Sequence, residues 1–142
     1  SREQYRGILG GRSRAVFNGR VVVHKGAVKT DSAQGNANLL LSGKAEIDTK
    51  PELEIYNDDV KCAHGATVGQ LDENQLFYLK SRGLGEEEAR QLLTFAFADE
   101  VLAGLGEPAV RRHIEQAAFS KLPHGGDIEA MLTGPTASGS TA

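Results

Sequence analysis

The sequence predicts a mainly β chain that turns helical toward its end, and three observations carry that expectation. Short β-prone steps recur over residues 5–71, several of them starting only seven or eight residues apart. Over residues 72–122 the apolar residues return at helical spacing instead. From His124 on, glycine, serine, threonine and proline dominate, and too little apolar content remains to order the segment. The predicted divisions are therefore 1–71, 72–123 and a flexible tail over 124–142.

The β zone opens on Tyr5-Arg6-Gly7-Ile8-Leu9 and continues with Arg14–His24, where Asn18-Gly19 reads as a turn between two β stretches. Asn38–Ser42, Ala45–Thr49, Glu52–Tyr56, Val60–His64 and Ala66–Val68 follow as separate strands. Ala45-Glu46-Ile47 and Leu53-Glu54-Ile55 read as two copies of one apolar-acidic-apolar step. Glycines 19, 26, 35, 43 and 65 are expected at corners that need positive φ. Such strands suit a sandwich, a barrel or a β-solenoid, and their shortness and the scarcity of tight hairpins favour the solenoid.

In the helical zone, Asp72-Glu73-Asn74-Gln75 has an acceptor at the N-cap and glutamine three residues on, and Gly83 suits the C′ position. Glu86-Glu87-Glu88 opens a second helix beside the positive end of its dipole, with Ala89, Leu92, Leu93, Ala96, Phe97 and Val101 as the apolar stripe. Glu107-Pro108 starts a third, carrying Val110, Ile114, Ala117 and Ala118 and ending near Pro123. A brief helical turn is expected over Ile128–Leu132.

The 142 residues suffice for one real core, and a net charge of −3 provides no global basic field, which argues against nucleic acid as the main partner. No apolar run approaches the roughly 18–20 residues that span a bilayer. A single cysteine excludes an internal disulfide framework and fits a reducing compartment. The chain opens directly on strand-like sequence without methionine and reads as a fragment of something longer.

The one cysteine lies in Val60-Lys61-Cys62-Ala63-His64. In a strand, Cys62 and His64 share a face, and thiolate and imidazole both suit iron, zinc or copper(I). Two ligands leave a site incomplete, since such sites take about four, so the rest must come from elsewhere. The plainer reading makes Cys62 a small packing residue and His64 a surface hydrogen-bonding group. No phosphate-binding loop and no hydrolase triad can be assembled.

Taken in order, Tyr5-Arg6-Gly7-Ile8, Ala15–Val21, Lys29-Thr30-Asp31, Asn38–Ser42, Asp48–Ile55, Asp58–Thr67 and Asp72–Gly83 resemble the C-terminal half of the SufB/SufD family, which builds iron–sulfur clusters together with SufC, an ABC-type ATPase. The resemblance covers roughly residues 5–122 and implies the last turns of a right-handed parallel β-helix followed by a small helical domain. The SufB type carries a cysteine where Asn36 stands here, and a glutamate after the histidine where this chain has Gly65. Those departures make the chain similar to SufD.

That resemblance implies a non-catalytic scaffold subunit in the cytoplasm, or in the plastid stroma if the source is a photosynthetic eukaryote. It implies no tightly bound cofactor in isolation, with a transient iron–sulfur cluster in the full complex. His64 and Cys62 would contribute to cluster assembly jointly with a partner chain. Val60, Cys62, His64 and Thr67 would line an interface with a SufB-like subunit or a second copy. Glu86, Leu93, Phe97 and Arg111 would lie on the helices that contact the SufC-like ATPase. Two readings stand beside this: a stand-alone β-solenoid metalloenzyme using Cys62 and His64 with a third ligand such as His24 or Asp31, and a purely structural interaction protein.

Overall fold

The computed structural model describes residues 1–121. The chain divides into two compact units, residues 1–71 and a second beginning at Asp72. The expected tail over 124–142 and its Ile128–Leu132 turn lie outside the described residues, while the third helix, expected to end near Pro123, ends at Phe119.

The first unit holds five strands, β1 (Arg2–Leu9), β2 (Arg14–Val23), β3 (Asp31–Leu40), β4 (Glu46–Ile55) and β5 (Lys61–Gly69). Alternate strands pair, giving a three-stranded sheet in the order β1-β3-β5 and a two-stranded sheet of β2 and β4. All pairs are parallel, with Arg2 opposite Ala33, Ala33 opposite Ala63 and Arg14 opposite Glu46. Stacked corners carry the register, for Leu41 N–H donates to Leu9 O at 2.8 Å and Glu46 N–H to Ser13 O at 3.0 Å.

The right-handed parallel β-helix expected from the sequence is not the observed architecture. Two small parallel sheets neither close nor curl into a solenoid, and with the three helices among the described residues the fold is mixed α/β. The short steps that suggested solenoid rungs merge into strands of 8 to 10 residues. All of the two apolar-acidic-apolar steps but Ala45 falls in one strand, β4, which runs through Pro51. Glu46 turns its N–H toward β2, and alternate residues of a parallel strand face opposite neighbours. Pro51 therefore places its missing N–H on the free side, where no ladder bond is lost.

Asn18-Gly19 is likewise mid-strand in β2 and makes no turn. Glycines 35 and 65 also sit inside strands, opposite one another, and among the described residues positive φ is confined to Gly11, Gly26 and Gly83, with Lys29 the non-glycine case. What residue 19 supplies is missing volume. A Cβ there would fall 2.5 Å from Gln34 Oε1 and 2.9 Å from both Gln34 Cδ and Phe17 Cε1.

β2 alternates cleanly, with Ala15, Phe17, Val21 and Val23 turned inward and Arg14, Val16, Asn18, Arg20 and Val22 exposed. On the outer side Arg14 pairs with Asp48 at 3.4 Å and Arg20 with Glu54 at 3.0 Å. The inner side packs against the larger sheet, where the Tyr5 and Phe17 rings lie 4.9 Å apart at 54°. Leu9, Val23, Leu39 and Ala45 are the buried apolar residues, while the middle of β3 buries Ser32, Gln34, Asn36 and Asn38. Asn38 Nδ2 donates to Asn36 Oδ1 at 2.7 Å and to Thr67 O at 3.2 Å, so part of that polar interior satisfies itself.

The second unit holds α1 (Glu73–Ser81), α2 (Glu86–Asp99) and α3 (Pro108–Phe119). Asp72 caps α1, its Oδ1 accepting from Asn74 N–H at 2.7 Å, and Gly83 adopts φ 98° just past the helix, as the sequence predicts. Glu88 reaches back to the Gly85 N–H at 2.8 Å. Pro108 takes the first turn of α3 behind the Glu107 cap. The stripe expected to bury α2 is only partly covered: Ala89 is buried with Gln91 and Thr94, Leu92, Leu93 and Phe97 are half-buried, and Ala96 is exposed. Packing against α1 reaches one side of α2, so helical periodicity marked apolar positions without saying which would be covered.

Candidate functional site

β5 is the terminal strand of its sheet, and its backbone has a paired and an open side. Lys61 N–H donates to Thr30 O at 2.8 Å, which turns Lys61 toward β3. By the alternation of parallel pairing, Lys61, Ala63, Gly65 and Thr67 bond to β3, and Cys62, His64, Ala66 and Val68 direct their N–H and C=O groups to the free edge. An edge of this kind is a ready template for another strand.

Residues opposite one another in a parallel pair lie on one face of the sheet. Register then sets up successive rows: Ser32 with Cys62, Glu3 with Gln34 and His64, Tyr5 with Asn36 and Ala66, and Gly7 with Asn38 and Val68. Cys62 and His64 share this face, two residues apart, with backbone positions about 6.5–7 Å from each other. On β3 the face is closed, with Ser32, Gln34, Asn36 and Asn38 all buried. On β5 it is open, with Cys62 half-buried, His64 and Ala66 exposed, and Val68 49% exposed. Of the smaller sheet, β4 is the strand that approaches β5, and the β5 face stays partly open beside it.

The third ligands considered from the sequence do not join this face. His24 is exposed in the corner after β2, where its carbonyl accepts from Ala27 N–H at 3.1 Å. Asp31 is opposite Lys61, one position off the row face, and is held by Arg2 at 2.8 Å. Hydrogen bonding to Arg2 pulls the Asp31 carboxyl below its usual range. Among the described residues no group of three or more His, Cys, Asp or Glu side chains is arranged to hold a metal ion. Cys62 and His64 thus form at most half of a ligand set.

Val60 is half-buried just before β5, and Thr67 is exposed on the opposite face, its carbonyl receiving Asn38 Nδ2. In the helical unit Glu86 pairs with Lys80 at 2.6 Å, and that hydrogen bond followed by the lysine charge holds its carboxyl below the usual range. Leu93 lines an apolar groove of about 450 Å³ with Asn74, Gln75, Tyr78, Leu79, Leu92 and Ala96. Phe97 is one helical turn further along, half-buried. Arg111 donates through Nε to Glu115 at 2.6 Å and through Nη2 to Asp99 at 2.8 Å, fastening α3 beside the end of α2.

Sequence reasoning missed the polar row residues Gln34 and Asn38, although the alternation Ser32-x-Gln34-x-Asn36-x-Asn38 with small residues between them was visible. Polar residues at period two read as a solvated face; here they are the covered one. Gln34 Nε2 donates to Glu3 Oε2 at 2.9 Å, while its Oε1 is buried with no hydrogen-bond partner.

Residues 1–97 match a family model described as SUF system FeS cluster assembly, SufBD core domain. The chain is 46% identical over 125 residues to the iron–sulfur cluster assembly protein SufD of Escherichia coli, covering 88% of this chain and 30% of that protein. It is 54% identical over 90 residues to an iron–sulfur cluster assembly SufBD family protein of Synechocystis, covering 63% of this chain and 20% of the relative. SufD of Bacillus subtilis is 37% identical over 108 residues, covering 76% of this chain and 25% of the relative. The chain therefore spans less than a third of the length of these relatives.

Proposed function

The chain belongs to the SufBD family of iron–sulfur cluster assembly proteins, and from that premise we propose that it is the interaction-bearing part of a SufD-type scaffold subunit. Its role is assembly, without turnover of its own. The free β5 edge pairs with a SufB-like subunit or, in its absence, with a second copy. The helical unit docks a SufC-like ATPase through the surface that includes Glu86, Leu93, Phe97 and Arg111. The full complex works in the reducing cytoplasm or stroma.

One observation carries this reading: Cys62, half-buried, and His64, exposed, share one face of a strand whose backbone is itself unpaired on the far side. A second strand added there would both close the backbone ladder and bring further side chains beside the thiol and the imidazole. The nascent cluster is cargo on this surface. Histidine and cysteine from this chain are fitting donors for iron, and the partner chain completes the set.

The test is cluster assembly by the full-length complex carrying His64→Ala or Cys62→Ala, with co-purification of the SufB-like and SufC-like subunits as a control. Loss of assembly with intact co-purification supports the site. Normal assembly in both variants leaves a purely structural partner as the better reading.

A further inference from the structure

Gln34 is 4% exposed, and its amide is held from one side only. Nε2 donates to Glu3 Oε2 at 2.9 Å. A carboxylate accepts and does not donate, so Glu3 settles which end of the amide faces it. β3 lies between β1 and β5, and Glu3 is on β1. The amide nitrogen therefore points toward β1, and the oxygen lies against the second sheet, 2.5 Å from where a Cβ on Gly19 of β2 would stand. That oxygen is the unpartnered atom. A buried acceptor without a donor is unfavourable, and the residue in register with Gln34 on β5 is His64, on the same face. Adjacent strands are about 4.8 Å apart, a span that a glutamine and a histidine side chain bridge with a rotation of the ring inward.

We infer that Gln34 is a positioning residue for His64: its Oε1 accepts the proton-bearing ring nitrogen, so that the other ring nitrogen keeps its lone pair toward the open face. This deepens the assembly reading proposed above and rests on His64 acting there as a donor to iron. Glu3 acts one step further back by orienting the amide. The row Glu3–Gln34–His64 is then a carboxylate–amide–imidazole chain across three strands, of the kind that fixes the tautomer of a ligating histidine. Covering β5 with a partner strand favours the inward ring, because it removes the water that otherwise hydrogen-bonds it.

The experiment follows the ring nitrogens of His64 by NMR in the full-length protein with its SufB-like partner, labelled with ¹⁵N-histidine and assigned with His64→Asn. A single tautomer is expected for the native protein and a mixture for Gln34→Leu, which removes the acceptor. Cluster assembly should fall roughly 10-fold or more in Gln34→Leu, as for other outer-shell partners of ligands. An unchanged ring in Gln34→Leu overturns the inference. If that variant does not fold, Glu3→Ala carries the comparison: a mixture supports the chain of three, and an unchanged ring overturns it. His64→Ala separates the two ideas. Normal assembly in His64→Ala removes the donor role while the tautomer comparison still decides the positioning; loss of assembly there, with Gln34→Leu normal in ring and activity, removes the positioning alone.

Discussion

The amide oxygen of Gln34 on β3 occupies the space that a side chain on Gly19 of β2 would need, 2.5 Å from the position of its Cβ. The two sheets meet closely at this point, with no room for a methyl group, and that makes residue 19 a packing position.

Gly19→Ala should lower stability by about 1–3 kcal/mol, the range for overpacking a filled interior. Gln34 is tethered to Glu3 and cannot simply swing away. Adding Gln34→Ala should recover most of the loss, since the two residues contact one another and their effects are not additive. Urea unfolding of the two single variants and the double variant measures the coupling.

Asn38 is 2% exposed and donates to both Asn36 Oδ1 and Thr67 O. Asn38→Ala strands two acceptors and should cost about 1–3 kcal/mol, with faster amide hydrogen exchange along β5. Asn36→Ala combined with it should cost less than the sum of the two, because they remove the same bond.

Proline substitution separates the two sides of β5. Ala66→Pro removes an N–H directed at the free edge and should leave the melting temperature nearly unchanged while weakening capture of the SufB-like subunit or a second copy by 10-fold or more, roughly the factor that 1.4 kcal/mol commands. Ala63→Pro removes an N–H directed at β3 and should lower the melting temperature. Equal effects of the two on capture, once folding is corrected for, would sink edge pairing.

Lys80 joins α1 to the first turn of α2 through Glu86. The Glu86 carboxyl titrates below its unfolded value of about 4.3, so its stabilising contribution is present above that pH and is lost as pH falls through the folded value. Thermal melts should show Glu86→Gln less stable than the native chain at pH 7, with the gap closing toward pH 3. The gap should also shrink in 1 M salt, where the screening length is about 3 Å.

The sequence by itself determined the types of element and several of their ends. Asp72, Gly83 and Pro108 act locally, through a cap, a positive φ and a fixed φ, and each is where its chemistry implies. Period two likewise sufficed to put Cys62 and His64 on one face, and the ordered motifs were enough for the family. Tertiary structure decided what pairs with what and what is covered. Strand partners lie about thirty positions apart, as Ala33 does from Ala63, and no local pattern encodes that choice. It turned Asn18-Gly19 from a turn into a strand interior, joined two steps through Pro51, and replaced the expected solenoid with two small sheets. It also buried Gln34 beside an open His64, because periodicity assigns residues to a face and only packing determines whether that face meets water or another sheet.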